Sequence, residues 1–274
     1  MTPHIAFIGG GNMGRAIIGG LLKRGQSPQG ITVSDPVTAT RAALVQEFGI
    51  IGAADNNRAV ANADIVVLAV KPQQMAAIVR ALAPMLAERR PVVLSIAAGI
   101  TTASIAQWCG ASLPLVRAMP NTPALVGRAA TGVFATAATS VSAREQVAEL
   151  LRAIGFVVWV ESEEQLDAVT ALSGSGPAYF FLLLECLEAA AVRLGLPVAT
   201  ARQLALETAA GAAELALQSP YDPATLRVQV TSKGGTTERA LAVFETGGFA
   251  DLVQQALGAA ARRAHELSVE FGGG

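Results

Sequence analysis

The chain has 274 residues, a formal net charge of −1 and 52% hydrophobic residues. That length fits one large domain or two ordinary ones, and the apolar content supports a sizeable core rather than bulk disorder. Near-neutral charge, with no basic run longer than a pair such as Arg89-Arg90 or Arg262-Arg263, excludes the basic stripe that nucleic-acid binding requires.

The N-terminal MTPHIAFIGG enters a strand almost at once and lacks the basic and long apolar regions of a signal peptide. Short β-rich runs then alternate with helical ones. Strands are expected over His4–Gly9, Ile31–Asp35, Asp64–Val70, Val92–Ala97, Leu115–Met119, Gly132–Ala135 and Phe156–Val160. Helices are expected between them, for example over Met13–Arg24, Thr38–Phe48 and Gln73–Glu88. Runs such as IVVLAV are continuously apolar, as in strands covered by helices on both faces, so the rhythm predicts a parallel, doubly wound α/β sheet. After Trp159 only helices are expected: Gln165–Leu172, Ala178–Leu194, Ala199–Gln218, Pro223–Val230, Thr237–Phe244 and Ala250–Phe271. Ser162-Glu163-Glu164 reads as an N-cap with acidic first-turn residues. The boundary is therefore placed near residue 161, giving a sheet domain over 1–160 and an all-helical domain over 161–274. The terminal glycines read as a frayed end.

Ala178–Leu194 is apolar on nearly every face until its last turn, so it requires burial all round. Dimerisation through the helical half is the preferred explanation, over a self-contained bundle. The most apolar run, Ala178–Leu184, is stopped by Glu185 and reads as far short of a membrane span. Cytoplasmic location is expected. Cys109 and Cys186 share no CxxC spacing and suggest no disulfide framework. With only His4 and His265 in the chain, a Ser-His-Asp triad, a histidine-rich metal site and a histidine general acid are disfavoured, and no metal site is expected.

The first strand runs into GGGNMG, where Gly9, Gly11 and Gly14 fill a G-x-G-x-x-G pattern before a helix. The first glycine permits the tight turn, the second a close approach of backbone to a pyrophosphate, and the third close packing of helix on strand. The helix N-terminus adds its N–H groups. A dinucleotide site follows from this context, where the pattern alone would be weak. The second strand ends at Ser34-Asp35. An acidic residue there accepts the ribose hydroxyls of NADH and repels the 2′-phosphate of NADPH, while Arg41 could instead meet a phosphate. Asp35 reads equally well as a cap before Pro36, so the cofactor is NADPH or NADH. Ala69-Val70-Lys71-Pro72, Ala97-Ala98-Gly99 and Met119-Pro120-Asn121-Thr122-Pro123 end the next strands, where ligands of open α/β sheets sit. Lys71 also reads as an exposed loop lysine. Ser173 and Ser175 in SGSGP read as cleft-lining or, with the edge, as capping residues. The turn TSKGGTTE, residues 231–238, reads on composition alone more readily as a helix–helix turn than as a site.

Together, GNMG, AVKP, SIAAG, MPNTPA, SGSGPAYFF and TSKGGTTERAL, in this order, resemble pyrroline-5-carboxylate reductases over nearly the whole chain. The resemblance implies reduction of L-Δ1-pyrroline-5-carboxylate to L-proline with NADPH or NADH, the last step of proline synthesis. It implies a Rossmann domain followed by a helical domain that dimerises, with decamers in many members. It implies dinucleotide contacts at Gly11, Asn12, Met13, Asn56 and the segment from Ala69, and nicotinamide-side contacts at Ala97 and the MPNTP segment. It implies a substrate-carboxylate loop at Ser232, Gly235, Thr236 and Thr237, with Thr237 proposed as proton donor to the ring nitrogen. Two departures stand out: Lys233 often corresponds to proline in the family, and Asp35 is unfavourable for a 2′-phosphate.

The chemistry suits these residues. An imine needs hydride on carbon and a proton on nitrogen, and its nitrogen can be protonated before or during transfer, so no strongly acidic side chain is required. A threonine hydroxyl is a poor acid, which makes orientation of the ring the firmer role for Thr237. The glycines, threonines and helix start of TSKGGTTE suit a fixed carboxylate. Glu238 already answers the helix dipole and is expected to point away. Other readings are another imine reductase, a β-hydroxyacid-dehydrogenase relative, or a redox-sensing dinucleotide binder without turnover. The hydroxyacid reading lacks a suitable lysine, since Lys233 is the only one in the second half.

Overall fold

The computed structural model describes residues 3–272. Met1, Thr2, Gly273 and Gly274 lie outside the described residues, and with them part of the N-terminal reading and most of the terminal-glycine reading. Eight strands form one sheet: β1 (Ile5–Ile8), β2 (Ile31–Ser34), β3 (Ile51–Ala53), β4 (Ile65–Leu68), β5 (Val92–Ser95), β6 (Leu115–Met119), β7 (Ala129–Ala135) and β8 (Gly155–Trp159). Their order is β3-β2-β1-β4-β5-β6-β7-β8. The strands alternate with α1 (Asn12–Lys23), α2 (Thr38–Phe48), α3 (Asn56–Val60), α4 (Pro72–Arg89), α5 (Thr102–Cys109) and α6 (Val141–Arg152).

The apolar strand runs have a direct structural cause. Phe7, Val67 and Leu94 turn to one face and pack with Ile17 and Ile18 of α1 and Leu150 of α6. Their neighbours Ile8, Leu68 and Val93 turn to the other and pack with Met75, Val79 and Leu82 of α4. Both faces are covered, so every position is apolar. Each fully buried side chain of this size contributes about 1.5–3 kcal/mol. Cys109 lies in the second of these clusters as a free thiol, and burial raises its pKa.

Strands β1 to β6 run parallel, but β7 pairs antiparallel with β6, with Ala118 opposite Val133. The expected parallel, doubly wound sheet is thus mostly parallel, with one antiparallel pair. The connection from Met119 to Ala129 holds only a 3-10 turn, Thr122–Val126. A parallel crossover needs a dozen or more residues, so the chain turns back on itself. Strand β3 was not expected: it is three residues long with two of them exposed.

After β8 come α7 (Gln165–Val169), a π-helical turn over Thr170–Gly174, α8 (Gly176–Arg193), α9 (Val198–Gln218), α10 (Pro223–Gln229), α11 (Thr236–Thr246) and α12 (Phe249–Gly272). Ser162-Glu163-Glu164 does not cap α7 as expected. Glu164 takes the cap position without a side-chain bond, and Gln165 Oε1 accepts from the N–H groups of Glu161 and Ser162.

The chain forms two compact units. One holds the residues up to Ser175 together with those from Ala259 onward, and the other is Gly176–Gly258. In the first unit the end of α12 packs on the loop after β5, with Leu267 and Phe271 against Gly99. In the second, Arg202 of α9 makes a two-pronged bond to Glu188 of α8, at 2.8 and 2.9 Å, which lowers the Glu188 pKa.

Helix α8 is not buried all round within one chain. Phe180 and Phe181 are each 66% exposed, with Leu182 and Leu187 also exposed. The helical stretch Gln165–Arg193 is 29 residues long and apolar enough, by length and composition alone, to cross a membrane. The sequence reading missed this because it stopped at Glu185, whereas a span can tolerate one or two charges. A helix this apolar and this exposed requires cover that a single chain does not provide.

Candidate active site

The parallel strands β1, β2, β4, β5 and β6 bring their carboxyl ends to one edge of the sheet. The strand order reverses between β1 and β4, which creates the crevice where ligands of such sheets bind. The glycine loop lies there. Gly9 has φ +102°, and a Cβ on it would lie 2.6 Å from the Ala69 carbonyl oxygen. A Cβ on Gly14 would lie 3.0 Å from the Gly9 carbonyl oxygen, so the third glycine does allow helix and strand to meet. Gly11 differs, because nothing lies within 4 Å of a Cβ built on it. No neighbour within the chain requires a glycine there, and the open space suits the approach of a ligand. Gly11 is also the N-cap of α1 and provides no side-chain cap. The first N–H groups of α1, from Asn12, Met13 and Gly14, therefore face an anion-binding position. These features fit a dinucleotide pyrophosphate.

At the end of β2, Ser34 is buried and its carbonyl accepts from Gly9 N–H at 2.8 Å. Asp35 follows. One carboxylate oxygen accepts from Gly10 N–H at 2.8 Å and the other from Val37 N–H at 2.8 Å. Arg41 donates from Nη1 to the Asp35 carbonyl at 2.7 Å. Asn56 opens α3 and is half-buried, behind Asp55, whose side chain caps that helix. At the end of β4, Ala69 and Val70 are half-buried against the glycine loop, exposed Lys71 is the N-cap of α4, and Pro72 fills its first turn.

Ala97 is buried after β5, and Gly99 adopts φ +72°. Met119 ends β6 and Pro120 follows it. Asn121 is 8% exposed, and its amide is engaged at both ends. Nδ2 donates to the Ser173 carbonyl at 2.9 Å, and Oδ1 accepts from Ala130 N–H at 2.9 Å. It thus ties the π-helical turn to the ledge after β6. That turn also comes close to Met119, since a Cβ on Gly174 would lie 2.8 Å from Met119 Cε. Ser173 Oγ donates to the Val169 carbonyl at 3.0 Å, and Ser175 is the C-cap residue of the π turn, its N–H closing on the Thr170 carbonyl at 2.8 Å.

A buried ion pair in this unit was not foreseen. Arg117 of β6 is 4% exposed and pairs with Glu163 at 3.1 Å. The same carboxylate accepts from the N–H of Thr102 at 2.8 Å and from its hydroxyl, at the start of α5. A lone arginine inside an apolar strand was the signal for a buried acidic partner.

In the second unit, Gly235 N–H bonds back to the Ser232 carbonyl at 3.0 Å, and Gly234 has φ +74°. Gly235 is the N-cap of α11 and supplies no side-chain cap, so the N–H groups of Thr236, Thr237 and Glu238 start the helix without one. Thr237 is half-buried, while Ser232 and Thr236 are exposed. Glu238 does not point away as expected. Its carboxylate returns to Gly234 N–H at 2.7 Å, close to the reach of a capping-box glutamate.

Residues 163–267 match the family model described as pyrroline-5-carboxylate reductase dimerisation, and residues 4–99 match that described as NADP oxidoreductase coenzyme F420-dependent. The pyrroline-5-carboxylate reductase of Pseudomonas aeruginosa is 50% identical over 99% of both chains. That of Vibrio alginolyticus is 43% identical over 97% of this chain and 98% of its own. The structure of a pyrroline-5-carboxylate reductase from Coxiella burnetii superposes with a TM-score of 0.95 at 44% identity, covering 98% and 99% of the two chains. That of the Plasmodium falciparum pyrroline carboxylate reductase with NADP bound gives 0.85 at 26% identity, covering 97% and 98%. With the glycine loop at the switch point and relatives of this identity over its full length, the chain belongs to the pyrroline-5-carboxylate reductase family.

Proposed function

We propose that this chain reduces L-Δ1-pyrroline-5-carboxylate to L-proline with NADPH or NADH, the last step of proline biosynthesis. The observation that carries the proposal is the open, uncapped glycine loop at the switch point of a chain that belongs to this family. In this reading residues 1–160 are the dinucleotide-binding domain and residues 161–274 the substrate-binding and dimerisation domain.

When bound, the dihydronicotinamide supplies hydride to the imine carbon. The rest falls to the protein. Gly11, Asn12, Met13 and Gly14 hold the pyrophosphate with backbone N–H groups, beside the tight turn that Gly9 makes with its own N–H on the Ser34 carbonyl. Ser34, Asp35 and Asn56 serve the adenosine side. Ala69, Val70, Lys71 and Pro72 line the crevice beside the loop. Ala97, Met119 and Pro120 leave a flat, largely apolar seat for the ring, and Asn121 acts by fixing that seat, since both ends of its amide are engaged. Ser232, Gly235, Thr236 and Thr237 hold the substrate carboxylate, where each charge-assisted hydrogen bond contributes roughly 1.5–3 kcal/mol. Thr237 orients the ring nitrogen and relays its proton, from water if not from its own hydroxyl.

The exposed apolar faces of the helical half support self-association there. A dimer is the unit, the decamer is the larger assembly proposed, and the protein works in the cytoplasm without nucleic acid or membrane. In the dimer, the apolar faces of Gln165–Arg193 are covered by the partner rather than by lipid. The test is nicotinamide absorbance with pyrroline-5-carboxylate as substrate. Consumption of NADPH or NADH that depends on the substrate is expected, and no consumption with either would remove the proposal.

A further inference from the structure

We infer that Asp35 sets which dinucleotide the enzyme takes: its carboxylate accepts the 2′-hydroxyl of the adenosine ribose and opposes a 2′-phosphate, so that NADH binds in preference to NADPH. The inference rests on the proposed dinucleotide site and deepens it.

Asp35 directly follows β2, at the position where an acidic residue meets the ribose in dinucleotide-binding folds. Three observations go beyond its place in the chain. First, the carboxylate is fixed within the glycine loop itself, by Gly10 N–H at 2.8 Å and by Val37 N–H at 2.8 Å. Second, it cannot readily move aside. Withdrawal of the carboxylate would leave the N–H groups of Gly10 and Val37 unpaired. Third, the arginines of this corner are engaged. Arg41 donates to the Asp35 carbonyl at 2.7 Å, and Arg15 pairs with Glu47 at 2.8 Å.

A carboxylate has about four acceptor positions and no donor. Two are used by the loop, and the others suit a hydroxyl, which donates. A 2′-phosphate offers acceptors and negative charge to the same place. It would have to draw Arg41 from its carbonyl and still remain beside an anion.

The experiment uses the full-length protein and reads binding rather than turnover. Dissociation constants are measured by calorimetry for 5′-AMP and adenosine 2′,5′-bisphosphate, and by fluorescence for NADH and NADPH. The wild type should bind NADH more tightly than NADPH by about tenfold, equivalent to ~1.4 kcal/mol. It should gain nothing from the 2′-phosphate of the bisphosphate. Asp35→Ser should move the NADPH-to-NADH affinity ratio towards NADPH by about tenfold or more, with Asp35→Asn moving it in the same direction. A residue that only braced the loop would weaken both cofactors alike and leave the ratio unchanged, and that result would overturn the inference. So would a wild type that binds the bisphosphate or NADPH more tightly than its unphosphorylated counterpart, a comparison that needs no variant to fold. Failure of every nucleotide to bind would instead overturn the dinucleotide site, and this inference with it.

Discussion

Replacing Glu163 by alanine should be the most damaging single change in the sheet-bearing unit. Its carboxylate pairs with Arg117 at 3.1 Å and accepts from Thr102 N–H at 2.8 Å as well as from the Thr102 hydroxyl. Arg117 is almost wholly buried, so the variant leaves a guanidinium without its counter-charge in an apolar sheet. Breaking a buried pair by removing one partner costs about 3–5 kcal/mol. Glu163 retains some exposure, with 16% of its side-chain surface open, and water can partly replace it. The lower end, ~3 kcal/mol, is therefore expected. Both tryptophans, Trp108 in α5 and Trp159 in β8, belong to this unit, so their fluorescence reports its unfolding in urea. With a denaturant slope of ~2 kcal/mol/M, the midpoint should fall by roughly 1.5 M. Protein concentration must be held fixed, because self-association contributes to the apparent stability. Arg117→Met combined with Glu163→Gln should recover most of the loss, since neither charge remains. A shift below about 0.3 M for Glu163→Ala, or a double variant worse than the single, would refute the reasoning.

Three further changes test other parts of the account. The Thr131 hydroxyl is buried in β7 with no hydrogen-bond partner, so Thr131→Val should stabilise the protein by about 1 kcal/mol in the same titration; destabilisation would show that the hydroxyl has a role there. Gly99→Ala forces φ +72° on an L-residue and brings a Cβ to 3.1 Å from Leu267 Cβ. It should cost about 2 kcal/mol and expose the end of α12 to proteolysis, and unchanged stability would contradict the packing described. Thr237→Ala should lower kcat/KM for the imine about tenfold while leaving the dissociation constants of NADH and NADPH nearly unchanged; an unaltered kcat/KM would remove Thr237 from the site.

Much of this architecture was legible because its causes are local. A strand covered on both faces must be apolar throughout, and IVVLAV is. A helix that starts at a pyrophosphate needs glycines at a set spacing, and Gly9, Gly11 and Gly14 have it. What escaped was set by distance in the chain or by brevity. Thr102 and Glu163 are far apart in sequence, so an acidic residue that looked like a local cap serves another helix. The MPNTP segment is legible as a strand end, but the engagement of the Asn121 amide by Ser173 and Ala130 depends on residues distant in the chain or across the turn. Strand β3 is too short and too exposed to leave a hydrophobic pattern. The reversal at β7 was readable in principle, because no crossover helix fits between Met119 and Ala129. The bond from Gly234 N–H to the Glu238 carboxylate depends on the backbone geometry of the turn, which composition does not encode.

Hydride transfer to a cyclic imine on this chain can be followed with an isotope label. The enzyme is given pyrroline-5-carboxylate and NADH or NADPH deuterated at C4 on the transferring face, and the product is examined by mass spectrometry and NMR. L-proline carrying one deuterium, on the ring carbon formerly double-bonded to nitrogen, is the expected product. Proline without the label, label at another carbon, or no proline at all would contradict it.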